Sequence, residues 1–202
     1  MKIKVLCEGQ TEEGLRALLA KAVDIRKCGI HIKSYDGVTR LLRKLDSRVK
    51  EELASGAEAV FCLVDYHHFP LPENARALPR DQRALVIKNY VTEQLDESRR
   101  SALRCYVILH EIEAWILADE EAIAQRLKSK NLPPWPEPEK VNDMKPPARV
   151  LEELFRTRSP LRKQYIKAKD GVDFLGKIDH KKVYDKCPTF KMLVDDLRRH
   201  CQ

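Results

Sequence analysis

The first thirteen residues, Met1-Lys-Ile-Lys-Val-Leu-Cys-Glu-Gly-Gln-Thr-Glu-Glu13, run from an apolar segment into an acid, a glycine, a threonine and two more acids. The apolar segment is typical of a buried β-strand, and Glu8-Gly9 of the turn at its carboxyl end. Thr11 is a favourable N-cap for the helical pattern that follows. Because ligands of open α/β sheets bind at the carboxyl ends of the strands, Glu8 is a candidate metal ligand.

The same alternation of strand and helix recurs along the chain. Apolar runs of this length are typical of buried parallel strands, and the segments between them have helical periodicity. The alternation predicts an α/β core over residues 1–118, with a four-stranded, mainly parallel sheet and helices on both faces. The predicted strands are residues 2–7, 30–34, 59–64 and 103–109, and the predicted helices between them are residues 12–23, 38–54 and 83–95.

The pattern changes after the fourth strand. Residues 110–127 are predicted to form one helix, or two short ones broken near Asp119. Prolines concentrated at 133–138 and 146–147 exclude regular helix and predict a connector or lid. Residues 119–202 are therefore expected to form a proline-rich connector and a smaller helical cap beside the strand ends. The helices predicted within the cap are residues 148–156, 161–169, 181–186 and 189–200.

Composition limits the class of protein. Hydrophobic residues at 43% and charged residues at 34% indicate a folded chain with a heavily charged surface. No apolar run approaches the roughly 20 residues of a membrane span, and the N-terminus lacks the apolar core of a signal peptide. The six cysteines include no CxxC pair, and Cys7, Cys62 and Cys105 lie in apolar strand-like runs. This usage indicates buried, reduced cysteines and a cytoplasmic location.

The net charge of +7 is unevenly distributed. Residues 156–202 contain 13 of the 38 Lys/Arg and 6 of the 31 Asp/Glu, which leaves 25 of each sign in the rest of the chain. This asymmetry suggests a polyanionic partner such as a nucleic-acid backbone, although a solvated helical face explains it equally well. The candidate backbone contacts are Arg158, Arg162, Lys163, Lys167 and Lys169.

Acids and histidines also follow two later strands. The third strand ends in Asp65-Tyr-His67-His68, and the fourth in His110-Glu-Ile-Glu-Ala-Trp115. In a parallel sheet these groups would converge with Glu8, and clustered carboxylates repel one another unless a cation neutralises them. Oxygen ligands suit Mg²⁺ or Mn²⁺, and histidine favours Mn²⁺ or another transition metal. Each acid alone is better explained as a turn or first-turn helix residue, but together they favour a metal site.

The chain resembles a bacterial family of domains of unknown function, DUF4276, which is grouped with Toprim-like domains. The resemblance runs nearly the full length, and its most specific parts are EGxTE and HExEA. The segments that carry it are Cys7-Glu-Gly-Gln-Thr-Glu12, Asp65-Tyr-His67, His110-Glu-Ile-Glu-Ala-Trp115, Pro138-Glu-Lys-Val-Asn142 and Cys187-Pro-Thr-Phe190.

The resemblance implies a Toprim-like fold and Mg²⁺-dependent phosphodiester chemistry. The Toprim pattern is a glutamate after the first strand, matched by Glu8, and an Asp-x-Asp after a later one, whose first aspartate is matched by Asp65. His67 stands in place of the second aspartate, so Glu111 or Glu113 would have to supply the missing oxygen. The resemblance also implies a role in phage defence, beside a separately encoded ATPase. This chain has no Walker A motif, so any ATP-driven step would depend on that ATPase.

Three functions are compatible with these patterns. The first is a metal-dependent phosphodiesterase, most simply a nuclease, in which Glu8, Asp65 and Glu113 hold the cation and His110 or His67 moves a proton or adds a ligand. The second is a catalytically degenerate Toprim-like module that binds nucleic acid or a partner, favoured by His67. The third is a phosphatase or nucleotidyl-transfer enzyme that acts on a small nucleotide.

Overall fold

The computed structural model describes residues 2–9, 11–24, 28–66, 69–71, 73–108, 111–143, 145–160 and 164–201. These residues contain one sheet of four parallel strands in the order β2-β1-β3-β4. The α/β fold predicted from the alternation of apolar runs is confirmed, and each strand begins and ends within a residue of its predicted bounds. The strands are β1 (Lys2–Cys7), β2 (Gly29–Ser34), β3 (Ala59–Asp65) and β4 (Leu103–Ile108).

Helices cover both faces of the sheet, as predicted, because alternate strand residues point to opposite sides. Val5 and Phe61 pack with α1 on one face, whereas Leu6 and Cys62 pack with α2 and α4 on the other. The elements of this half are α1 (Leu15–Ala22), α2 (Val38–Ala54), α3 (Glu73–Arg76), α4 (Arg80–Glu93) and α5 (Glu97–Arg100).

The C-terminal helices pack on the same face of the sheet as α1. Side chains from both sides of residue 118, such as Ile108 and Phe190, belong to one hydrophobic cluster. The domain boundary at residue 118 stays a prediction. The helices of this half are α6 (Glu113–Leu117), α7 (Glu120–Leu127), α8 (Pro147–Arg158), α9 (Val172–Lys177), α10 (His180–Lys186) and α11 (Pro188–His200), with a 3-10 helix at Pro138–Asp143.

The helix predicted over residues 161–169 is wrong in its described part. Residues 164–166 are not helical, and a π-helical turn, Lys167–Gly171, leads into α9. The reason is local: the buried carboxylate of Asp170 accepts the backbone N–H of Ile166 at 2.9 Å, which closes a wide turn. Gly171 is required there, because a Cβ at that position would lie 2.7 Å from Cγ2 of Thr11. Residues 161–163 lie outside the described residues.

A buried aspartate separates the two helices predicted within residues 110–127. Asp119 is the N-cap of α7, and its Oδ1 accepts the backbone N–H of Ala122 at 3.4 Å and Nζ of Lys182 at 2.9 Å. Its Oδ2 accepts the backbone N–H of Asp179 at 2.9 Å. Burial by itself raises the pKa of Asp119, but these three donors hold it below its usual value.

We expect Asp119→Asn to destabilise the protein by about 2 kcal/mol at neutral pH. A carboxyl whose pKa is lowered by folding contributes stability above its unfolded pKa and loses it as the pH falls through the folded pKa. The difference from wild type should therefore shrink in acid, which urea unfolding at a series of pH values would measure. The matched control is Glu121→Gln, which also removes a contact with Lys182 at 2.9 Å but at an exposed carboxylate. Its effect should be below about 0.5 kcal/mol; equal losses for both variants would contradict the assignment.

A disulfide joins the start of β2 to the end of the C-terminal helix. Cys28, just before β2, is bonded to Cys201, just after α11, and their Cα atoms are 5.3 Å apart. The expectation that all cysteines are reduced is therefore wrong for this pair, because the fold brings together two residues that are 173 positions apart. Cys7, Cys62 and Cys105 are buried thiols outside any disulfide, as predicted. The cytoplasmic location stays a prediction.

The helices of the described segments are too short or too polar to cross a lipid bilayer.

Candidate functional site

Four acids lie at the carboxyl edge of the sheet. Glu8 follows β1 directly, Asp65 is the last residue of β3, and Glu111 and Glu113 follow β4. Because the strands are parallel, these positions share one edge, as the sequence predicted. Glu8, Glu111 and Glu113 are buried, with 8%, 4% and 2% of their surface exposed. Buried carboxylates are costly unless they are paired, so the partners of these four define the site.

Lys167, in the π-helical turn, contacts two of these acids, Glu111 and Glu113. Its Nζ donates to Oε1 of Glu111 at 2.7 Å and lies 3.8 Å from Oε1 of Glu113. Partial burial alone would lower the pKa of Lys167, but the charges of Glu113, Glu111 and Asp65 raise it above its usual value. The charge of Lys167 in turn acts on Glu8. One ammonium group is thus coupled to acids from three strand ends.

Glu8 and Asp65 are neighbouring acids at the ends of the adjacent strands β1 and β3. Burial raises the pKa of Glu8 above its usual value, and hydrogen bonds with the backbone and side chain of Asp65 only partly oppose this. Within the described part of the chain, Oε2 of Glu8 is buried and accepts no hydrogen bond. Two carboxyl groups in contact bind protons more readily than isolated ones, because both cannot be charged cheaply. The pair therefore favours a proton or a metal cation between its members.

Glu113 is oriented by two hydroxyl groups. Its Oε1 accepts from Oγ1 of Thr11 and from the OH of Tyr165, each at 3.4 Å. The prediction that Thr11 is a helix N-cap is wrong, because a 3-10 turn, Thr11–Gly14, precedes α1 and turns the Thr11 side chain towards Glu113. Tyr165 is buried against Phe155, and burial followed by the charge of Glu113 raises its pKa. Both hydroxyls therefore remain protonated donors to Glu113.

Glu111 is held differently from the other three acids. Its Oε1 accepts from Lys167, and its Oε2 accepts the backbone N–H of Ala148 at 3.2 Å, in the first turn of α8. A carboxylate at a helix N-terminus satisfies a backbone donor that the helix leaves free. Both oxygens of Glu111 are thus engaged, which favours a positioning role over a direct metal contact.

The histidines assigned to the site, His67 and His110, lie outside the described residues. Within the predicted helical segment 110–127, the first described helix begins only at Glu113. Among the described residues, no three His, Cys, Asp or Glu side chains are grouped closely enough to hold a metal ion. The described acids instead divide into the pair formed by Glu8 and Asp65, and two glutamates on Lys167.

In the folded protein, acids from outside the basic C-terminal region neutralise part of its positive charge. Lys167 points into the acid cluster, and Lys182 and Lys186 pair with Asp119 and Glu120, which precede the region. The expected excess charge is thus partly cancelled by residues 111–121. Of the other candidate nucleic-acid contacts, Arg158 and Lys169 are exposed, and Arg162 and Lys163 lie outside the described residues.

Glu139 is a buried acid that the sequence patterns did not single out. It accepts the indole N–H of Trp115 at 3.0 Å, and the backbone N–H and hydroxyl of Thr189 at 3.1 and 3.2 Å. Burial raises its pKa despite these donors. The three residues come from three of the segments that carry the family resemblance. Glu139 ties α6, the proline-rich connector and the start of α11 together, and so supports the helix that carries Glu113.

Comparisons with known proteins gave one finding. The model of a family described as "Domain of unknown function (DUF4276)" matches residues 7–198. The match contains all four acids of the site and Lys167. Neither a curated protein nor a solved structure matches the chain.

Proposed function

Because the chain belongs to the DUF4276 family of domains of unknown function, we propose its activity from the candidate site itself. The protein is a divalent-metal-dependent phosphodiesterase, most simply a nuclease, with a Toprim-like arrangement of acids. The observation that carries this proposal is the meeting of four acids at one edge of the sheet, with the ammonium group of Lys167 at 2.7 Å from Glu111 and 3.8 Å from Glu113. So many buried carboxylates beside one lysine attract further positive charge.

The donor set fits Mg²⁺ or Mn²⁺. Both ions prefer oxygen ligands, and Oε2 of Glu8 is a buried oxygen that no described hydrogen-bond donor satisfies. Glu8 and Asp65 would hold the cation together with Glu113, which would turn from Lys167 towards them because the described acids are not grouped as a complete metal site. Glu111 would support Lys167 beside it. His67 and His110 would add a ligand or carry a proton. Bound there, the metal would polarise a phosphate and lower the pKa of a coordinated water.

The protein's own side chains would orient a metal ligand and contact the substrate. The hydroxyls of Thr11 and Tyr165 fix one oxygen of Glu113, which limits the carboxylate to few orientations. Lys167, still about half exposed, can donate to a phosphate oxygen when a substrate reaches the edge. A role in phage defence with a separately encoded ATPase, and a cytoplasmic location, belong to the same proposal and rest on the sequence patterns.

The alternative is a catalytically degenerate module that binds nucleic acid or a partner. The observation that favours it is Lys167 itself, whose ammonium group already neutralises Glu111 and Glu113 without a metal. In this alternative the lysine replaces the cation permanently, and the site holds the fold together.

Calorimetric titration with Mn²⁺ separates the two. We expect the wild type to bind Mn²⁺, and Lys167→Met to bind it about tenfold more tightly, because removing a nearby ammonium relieves ~1.4 kcal/mol of repulsion. Lys130→Met, at an exposed lysine outside the site, should match the wild type. If wild type binds Mn²⁺ no better than Asp65→Asn does, the degenerate module is correct. Cleavage trials with Mg²⁺ or Mn²⁺ on oligonucleotides and on mononucleotides would then distinguish a nuclease from a phosphatase.

A further inference from the structure

A basic surface lies along β2 and α2, at the open edge of the sheet nearest to Glu8. Its first part is a depression of about 450 Å³. The side chains that the structure describes in its lining include three cations and a histidine, and no acid is among them. Its lining residues are Lys4, Arg16, His31, Ile32, Lys33 and Ser34.

A second depression, of about 240 Å³, continues this surface onto α2. The two share Lys33 and Ser34, so they form one continuous path. The second part adds Arg40, Lys44 and Arg48, together with one acid, Asp36. We call the six Lys and Arg residues that line the two depressions the β2–α2 surface. They are Lys4, Arg16, Lys33, Arg40, Lys44 and Arg48, and Lys33 lies where the depressions meet.

Some of this positive charge is already paired inside the protein. Lys4 lies 3.3 Å from Glu52, and Arg40 lies 2.7 Å from Asp36. Lys33 and Lys44 are exposed, and neither forms an ion pair with another residue that the structure describes. These two lysines therefore present charge that a ligand can use without breaking an existing ion pair.

The β2–α2 surface ends at the candidate site. Directly after β2, the backbone N–H of Tyr35 donates to the carbonyl of Cys7, and that of Gly37 donates to the carbonyl of Glu8, each at 2.9 Å. These bonds fix the end of the surface against the strand end that carries Glu8. A polyanion lying along the surface would thus bring one of its phosphates to the acids.

We propose that the β2–α2 surface binds the phosphodiester backbone of the nucleic-acid substrate. The inference rests on the proposed function, and it places the main backbone contacts on β2 and α2 rather than on residues 158–169. Tyr35, in the lining of the second depression, is only 7% exposed, so its ring offers no face for base stacking. Contacts made through phosphates alone carry no sequence information. Binding is therefore expected to be independent of sequence and strongly dependent on salt.

The test is Lys33→Ala/Lys44→Ala, measured by fluorescence anisotropy with labelled DNA and RNA oligonucleotides in EDTA, which prevents metal-dependent cleavage. We expect the Kd to rise at least about tenfold, and the slope of log K against log salt to flatten by about 1.8, or 0.9 for each lost phosphate contact. The matched control, Lys130→Ala/Lys181→Ala, removes two exposed charges outside this surface and should bind like the wild type.

The outcomes separate this inference from the proposed function. If the wild type binds but never cleaves with Mg²⁺ or Mn²⁺, and only Lys33→Ala/Lys44→Ala weakens binding, the inference stands and the proposed function fails. If the wild type cleaves and this variant keeps its affinity and salt slope, the inference fails and the proposed function stands. The inference is overturned if the wild type binds neither DNA nor RNA, whether or not it binds anionic phospholipid vesicles.

Discussion

Glu8→Gln, Asp65→Asn and Glu113→Gln are each expected to reduce metal-dependent cleavage by at least about 10³-fold. Each change removes one negative charge from the proposed metal site while keeping the shape of the side chain. Metal catalysis is worth several kcal/mol of transition-state stabilisation, and each 1.36 kcal/mol corresponds to a factor of ten in rate. Single-turnover cleavage of a labelled oligonucleotide measures the loss directly. Amides are preferable to alanine here because the glutamine at 113 keeps an oxygen that can accept from Thr11 and Tyr165.

The control for this set is Glu58→Gln, an exposed acid just before the amino end of β3, at the edge opposite the site. It removes the same charge and should cleave at the wild-type rate. Without metal, Glu8→Gln and Asp65→Asn should not lower the melting temperature, because each relieves repulsion between two neighbouring acids. Glu113→Gln also removes a charge that faces Lys167, so it is judged by its activity alone. If Glu113→Gln keeps full activity, Glu113 belongs to the scaffold that surrounds Lys167. The proposed cation would then depend on Glu8 and Asp65.

The convergence of the acids could be predicted from the sequence because it depends only on topology. Apolar runs give the strands, the helical segments between them require parallel crossovers, and residues that follow parallel strands share an edge. That argument does not depend on side-chain contacts, so it predicts that Glu8, Asp65 and Glu113 lie at one edge of the sheet. Their chemical roles stay predictions, since topology fixes position and not charge state.

Lys167 could not be predicted as the partner of the acids. It lies in a run of basic residues that predicted surface helix, and its position depends on the π-helical turn closed by Asp170. Such a turn has no sequence period that distinguishes it from an α-helix. The acids that it neutralises, Glu111 and Glu113, precede it by more than fifty positions in the chain. Gly171, at the end of that turn, lies against Thr11, whose hydroxyl contacts Glu113, and this packing sets the turn beside the acids.

The β2–α2 surface was missed for a different reason. The whole net charge of the chain lies in residues 156–202, and the cations of α2 are offset by the acids of residues 1–155, where each sign occurs 25 times. In the folded chain Glu51 pairs with Arg48 at 2.6 Å and Glu52 with Lys4 at 3.3 Å, while Lys44 stays exposed. Charge averaged along a helix hides which cations remain available, whereas the pairing in space identifies them.

Removing the disulfide with Cys28→Ser/Cys201→Ser is expected to lower the free energy of unfolding by about 5 kcal/mol. The bond closes a loop of 173 residues, and in the chain-entropy account long loops restrict the unfolded chain most. Urea unfolding at 25 °C measures this as a lower midpoint. Because α11 packs on α10 and β4, and Cys201 follows it directly, the C-terminal helix is the element most affected.

Reduction of the wild type is the matched experiment, since it breaks the same bond without changing the sequence. Reduced wild type should unfold at nearly the midpoint of the double variant, and the variant itself should not respond to reductant. The four other cysteines are buried thiols, so they provide no second disulfide that could explain a response. A variant as stable as the oxidised wild type would mean that the hydrophobic contacts of α11 hold the chain end without the bond. If instead the variant still responded to reductant, a cysteine pairing other than Cys28–Cys201 would exist in solution.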